Sequence, residues 1–195
     1  MNSIYKHIIK SINKKTYFLT LSCLLFVLSS TTTLAQSSYY YGLTTNGVTG
    51  NGSVFRTDTA GQNLATMDSF TSIENGKQPW PQTLLEINSK LYGVTTNGGM
   101  NGLGVLFEYN ITNNKYVVMH HFTETTGTNP AGHLFKASDG KIYGTTMSGG
   151  PANHGTLYQF DVTTSVLTTV LKFNGPSTGN QPRGKLVEAS TGKIY

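Results

Sequence analysis

Cysteine is almost missing from this chain. The single one, Cys23, sits in the N-terminal apolar stretch, so no disulfide can hold the remainder. No thiol nucleophile is available there either. Charge is also scarce, at 12% of 195 residues. Lys6, Lys10, Lys14 and Lys15 all precede residue 36, which leaves ten basic and nine acidic residues after it. The formal net charge of +5 therefore belongs to the start of the chain. It offers no basic patch for nucleic acid or an anionic membrane. Tryptophan occurs once, at Trp80. No segment after the N-terminal stretch carries a helical 3.6-residue period. The longest apolar run, Tyr17 to Leu28, has 12 residues, short of the roughly 20 that span a bilayer.

That short run has its own meaning. A basic start, an apolar middle and the small residues Thr33-Leu34-Ala35 predict a secretory signal peptide over 1–35, cleaved before Gln36. A lipid-attached Cys23 is the weaker alternative, because the apolar run continues past it to Leu28. A secreted or cell-surface address follows, with no membrane insertion after cleavage.

What is present after the signal is a repeat. Tyr41-Gly42-Leu43-Thr44, Tyr92-Gly93-Val94-Thr95 and Tyr143-Gly144-Thr145-Thr146 recur at 51-residue steps, and Tyr195 stands where a fourth copy begins. Such a period marks a propeller, solenoid or array. Each unit holds four short strand-like runs, which is the content of one propeller blade. In the second unit they are 90–95, 105–109, 116–122 and 134–137, with Gly-rich, Asn-rich and Pro-containing connections. The expected fold is all-β, with propeller-like tandem four-stranded blades of about 51 residues, in three units and open or partial. A lead over 36–40 precedes repeats at 41–91, 92–142 and 143–194, and Tyr195 starts a truncated repeat. An array that stops there predicts a fragment of a longer protein, or self-association to cover open strand edges.

Lys141-Ile142-Tyr143-Gly144-Thr145-Thr146, the run Gly149-Gly150 to Gly155-Thr156-Leu157-Tyr158-Gln159-Phe160, and Phe173 followed by Pro182 resemble the GloVer tandem repeats. The resemblance covers Tyr41 to Tyr195. It implies a secreted or surface bacterial repeat protein, often with a C-terminal sorting domain, and brings no catalytic residues.

Candidate chemistry is thin. His120 and His121 are adjacent on a strand and face opposite ways, an arrangement unsuited to one metal ion. The glycine loops 98–104 and 149–155 lack the following helix of a phosphate cradle. Glu108 and Asp161 alternate with apolar residues, which predicts exposed faces. Asp139 reads as a turn former. No catalytic, cofactor or metal residue is assigned. The candidate ligand-facing residues are those peculiar to one unit: Trp80 between Pro79 and Pro81, His154 and Arg183. The leading expectation is a non-enzymatic binding module for an extracellular glycan or protein. The alternatives are an extracellular carbohydrate-active hydrolase or lyase on the same scaffold, and an adhesin spacer.

Overall fold

The computed structural model describes residues 38–47, 50–80 and 84–195. The expected signal peptide over 1–35, with Cys23, lies outside these residues, as does the start of the 36–40 lead. The described chain is all-β. Its strands are β1 (Tyr39–Thr44), β2 (Ser53–Asp58), β3 (Ala65–Ser69), β4 (Lys77–Pro79), β5 (Leu85–Ile87), β6 (Lys90–Asn97), β7 (Val105–Asn110), β8 (Lys115–His121), β9 (Thr128–Lys136), β10 (Ile142–Ser148), β11 (Thr156–Asp161) and β12 (Val166–Lys172). They form three antiparallel sheets: β1-β2-β3, then β4-β6-β7-β8 with β5 also on β6, then β9-β10-β11-β12. A 3-10 turn at Ile73–Asn75 leads into the second sheet.

The sheets and the sequence units are out of phase by one strand. β9 lies in the unit 92–142, yet it pairs with β10 of the next unit, Phe135 opposite Tyr143 and Pro130 opposite Thr146. The strand count also departs from four per unit. Among the described residues β1 has no strand on its other side, so the first sheet has three. In the second sheet two short strands pair with β6 on this side, β4 ending at Pro79 and β5 beginning at Leu85. A proline cannot donate to a ladder. Pro79 and Pro130 both sit in the outermost strand of their sheets, β4 and β9, where a missing donor is tolerated.

The Tyr-Gly phrase has a packing cause. Gly42, Gly93 and Gly144 stand opposite Phe55, Phe107 and Tyr158. In each pair the aromatic ring lies where a Cβ on the glycine would go. Only glycine lets the ring cross the strand flat, and the large apolar ring is worth the loss of a small side chain. A bulge follows at one place in every unit, between Val54 and Phe55, Leu106 and Phe107, and Leu157 and Tyr158.

The core consists of two layers between sheets. Leu43, Val54 and Phe70 of the first unit pack against Leu91, Val105, Phe107 and Tyr109 of the second sheet. Val94, Leu106 and Phe122 pack against Ile142, Tyr158 and Phe160 of the third. Edge-to-face rings run through both layers, with Phe70–Phe107 centroids at 5.5 Å and Phe122–Tyr158 at 5.2 Å. β7 is thus buried on both faces, and this corrects the expectation for Glu108. That residue is only 8% exposed. Alternation marks a wet face only when one side of a sheet meets water. Here Lys90 Nζ reaches a Glu108 oxygen at 3.0 Å, and the Tyr92 hydroxyl donates to Glu108 Oε2 at 2.8 Å. Burial, then this bond to a carboxylate, raises the Tyr92 phenol above its usual range. Asp161 is half-buried at a strand end, where its Oδ1 accepts from Thr163 N at 2.8 Å.

A second repeated device joins neighbouring sheets. Gln78, Asn129 and Gln181 all have positive φ, at 54°, 51° and 47°, and each precedes a proline. Their N–H groups donate to Asn51 O (2.7 Å), Leu103 O (3.1 Å) and His154 O (2.9 Å) in the glycine loop of the preceding sheet. The next residue in each loop is Gly52, Gly104 or Gly155, with φ of 99°, 104° and 96°. A Cβ there would meet the ring of Pro79, Pro130 or Pro182. Glycine is required both by the dihedral and by the proline ring.

Candidate binding site at the glycine-loop end

These latches gather at one end of the sheets, where β6 and β10 finish at Asn97 and Ser148 and the glycine loops begin. The opposite end holds the hairpin turns. One is the two-residue Asn88-Ser89 turn, with φ of 53° and 60°. Another closes through Gly140, whose N–H donates to Ala137 O at 3.0 Å. Asp139 is a turn residue as expected. Its carboxylate accepts from Lys141 N at 3.0 Å and from the Tyr143 hydroxyl at 2.9 Å.

Trp80, His154 and Arg183 all belong to the latch end. Trp80 is half-buried, and its backbone N–H donates to Val94 O at 3.2 Å, three residues before the end of β6. His154 is half-buried in the third glycine loop, with its ring against Gly175 and its carbonyl holding Gln181. Arg183 is exposed, and its guanidinium donates to Gln181 Oε1 at 3.3 Å. His154 and Arg183 therefore flank one residue. Trp80 holds the same place after its proline as Arg183, but two units earlier.

A polar run, not anticipated from the sequence, connects the latches. The Asn97 amide donates to Gln78 Oε1 at 2.7 Å, and Thr96 Oγ1 donates to Gln78 O at 2.9 Å. The Asn129 amide donates to Thr96 O at 3.2 Å. The signal for it was available, since an amide residue precedes each of Pro79, Pro130 and Pro182. A rim of amides and hydroxyls in the strand that also holds Trp80 suits a polar ligand with apolar faces.

The glycine loops themselves are committed. Gly99 N–H donates to Ile73 O at 2.8 Å, Gly102 to Gly99 O at 3.0 Å and Gly104 to Gly98 O at 2.8 Å. Donors already bonded to carbonyls do not make an anion cradle. His121 Nδ1 accepts from Met100 N at 3.1 Å, which fixes its tautomer. His120 stacks edge-on to Phe122, with Nε2 3.3 Å from Thr126 Oγ1. Burial, then the neighbouring His121, lowers its pKa. Among the described residues no three His, Cys, Asp or Glu side chains gather as metal ligands.

Gly175-Pro176-Ser177-Thr178-Gly179 spells a nucleophile-elbow pattern. An elbow needs a strand-to-helix turn. Here Gly175 and Gly179 exchange backbone hydrogen bonds at 2.9 and 3.0 Å, and Asn174 Oδ1 accepts from Ser177 N at 3.2 Å. The segment is a closed loop with no helix after it. Several of the acids are likewise occupied. Asp58 is held below the usual carboxylate range by the Asn63 side chain and the Gln62 amide. Glu86 accepts from Ser89 N, and Glu188 from Ser138.

A repeat-family model described as the Gloeobacter/Verrucomicrobia repeat matches residues 28–195. No curated protein matches the chain. Among solved structures, the extracellular domain assigned to a hybrid two component system of B. thetaiotaomicron aligns with 80% of this chain at 14% identity and a TM-score of 0.55. TolB from Acinetobacter baumannii aligns with 70% at 15% identity and a TM-score of 0.42. The chain spans 18% of the first of these structures and 31% of the second.

Proposed function

From the premise that this chain belongs to the Gloeobacter/Verrucomicrobia repeat family, we propose that it is a secreted or cell-surface binding module. Its sheets stack as propeller blades, with the proline strands toward the axis. A glycan or an extracellular protein binds at the glycine-loop end. One observation carries this reading: the residues that differ between units, Trp80, His154 and Arg183, share that end, while the repeated residues serve packing. The fold likeness to an extracellular domain supports the address.

A Trp side chain on a proline-flanked segment stacks on a sugar or peptide face, and Arg183 supplies planar donors. Trp80→Ala and Arg183→Ala should each weaken a ligand found by glycan array or pull-down by about tenfold, the equivalent of about 1.4 kcal/mol. Arrays and pull-downs that both came back blank would remove the binding reading. Unchanged affinity in both variants would move the site elsewhere.

A further inference from the structure

We infer that Gln78 and Asn97, beside Trp80, form a recognition site for two adjacent hydroxyl groups of a sugar ring, which makes the ligand of the glycine-loop end a glycan. The inference rests on the reading that this end binds a ligand, and it narrows that reading to one chemical class.

The site is built from two amides that share one hydrogen bond. The backbone brings them together: Lys77 stands opposite Asn97 in the β4–β6 ladder, and Gln78 follows it with a φ of 54°. Thr96 then fixes how the amides are oriented. Its hydroxyl hydrogen is spent on Gln78 O at 2.9 Å, so its oxygen is left to accept. The Asn97 amino group donates to that oxygen at 3.1 Å and to Gln78 Oε1 at 2.7 Å. Both Asn97 amide hydrogens are thereby used. Asn97 Oδ1 is left over, and so is the Gln78 amino group. Neither has a hydrogen-bond partner among the described residues. Gln78 is exposed and Asn97 half-buried. The pair thus offers one acceptor and one donor, both held from behind.

Adjacent hydroxyls match this pair. A hydroxyl both donates and accepts, so one can donate to Asn97 Oδ1 while its neighbour accepts from Gln78 Nε2. A trans peptide points its N–H and C=O to opposite sides and does not meet both groups at once. Trp80 supplies the other half of a sugar site. It follows Gln78 by two residues, roughly 7 Å along an extended chain, within reach of the same ring. Its indole gives the apolar face of that ring a flat surface.

The third sheet lacks the arrangement. Asn129, the equivalent of Gln78, spends its amide on Thr96 O at 3.2 Å and Thr128 Oγ1 at 3.4 Å. Ser148 takes the place of Asn97, opposite Thr128, and Ala131 takes the place of Trp80. The amide pair and the tryptophan therefore occur together in the second sheet.

Binding of the full chain to immobilised β-linked polysaccharides tests this. Glucan, mannan and galactan linked through O4 keep free hydroxyls on O2 and O3 of every ring. Glucan and galactan linked through O3 have no adjacent pair within the chain. At least one O4-linked polymer should bind, and neither O3-linked polymer should. Periodate cleaves adjacent diols, so periodate followed by borohydride should abolish the binding. Gln78→Glu keeps Oε1 for Asn97 but replaces the amino donor by an acceptor. It should weaken binding by at least about tenfold at an unchanged melting temperature. Equal binding to O3- and O4-linked polymers, binding that survives periodate, or no binding to any of these polymers would overturn the inference. So would full affinity in Gln78→Glu. The periodate step needs no variant, so a folding defect in Gln78→Glu would not blunt the test. A protein captured by pull-down in a Trp80-dependent way would show that only the glycan assignment had failed, with the loop end still a binding face.

Discussion

Position 120 shows how one residue departs from its repeat. Asp68, His120 and Leu171 are equivalent, each opposite the strand residue before the bulge: Val54, Leu106 or Leu157. In the first two units the site is half-buried, and it raises the pKa of Asp68 while lowering that of His120, in both cases through burial first. A histidine whose folded pKa is depressed takes up its proton more readily when unfolded. Its neutral form therefore supports the fold above about pH 6.5, and that support is lost as pH falls from there toward the lower folded pKa. His120→Leu, the choice made by the third unit, should flatten the drop in melting temperature between about pH 6.5 and pH 5. Calorimetry across that range checks it, and an unchanged slope would assign the acid sensitivity to other groups. Periodicity revealed the Tyr-Gly phrase at this scale. It could not reveal why the second residue is glycine, because the ring over Gly93 comes from Phe107 on another strand. Nor could it show Glu108 as buried, since that requires knowing that a further sheet covers β7.

The latch between sheets is the element that the repeat exists to preserve. Gly104 combines a φ of 104° with the Pro130 ring in the place of its missing Cβ, whereas Gly102, at φ 75°, has open space around it. Gly102→Ala pays only for the dihedral, about 1 kcal/mol. Gly104→Ala adds an overpacking cost of about 1–3 kcal/mol and forces Pro130 away. It should lower the denaturation midpoint more than its neighbour does, and it should speed hydrogen exchange at Asn129, whose N–H closes the latch. Equal midpoints would mean that the proline contact has no weight. The strands and turns were legible because Val, aromatic and Gly/Asn clusters alternate so regularly. The pairing was not. A proline strand reads as the end of its unit, yet it hydrogen-bonds to the start of the next one, and only the ladder geometry shows this.

Across the whole molecule, stability should run downhill from the middle. β7 is covered on both faces, while β12 alternates exposed and half-buried residues, with Val166 at 53% and Val170 at 51% exposure. In a chain of units that touch only their neighbours, the outer strands open first. Amide exchange should therefore be earliest in β12 and slowest in β7, and a reversed order would contradict the packing. The three-sheet, all-β plan was readable from the 51-residue period. The clustering of Trp80, His154 and Arg183 at one end was not, because it depends on which way each strand runs. The one-strand offset between unit and sheet has a consequence for how such a gene can grow. Every proline strand must be followed by a tyrosine strand. Duplicating or deleting any 51 consecutive residues, wherever the breakpoints fall, keeps that succession intact. The array can change length by unequal exchange without a privileged junction, and each new copy arrives already stitched to its neighbour.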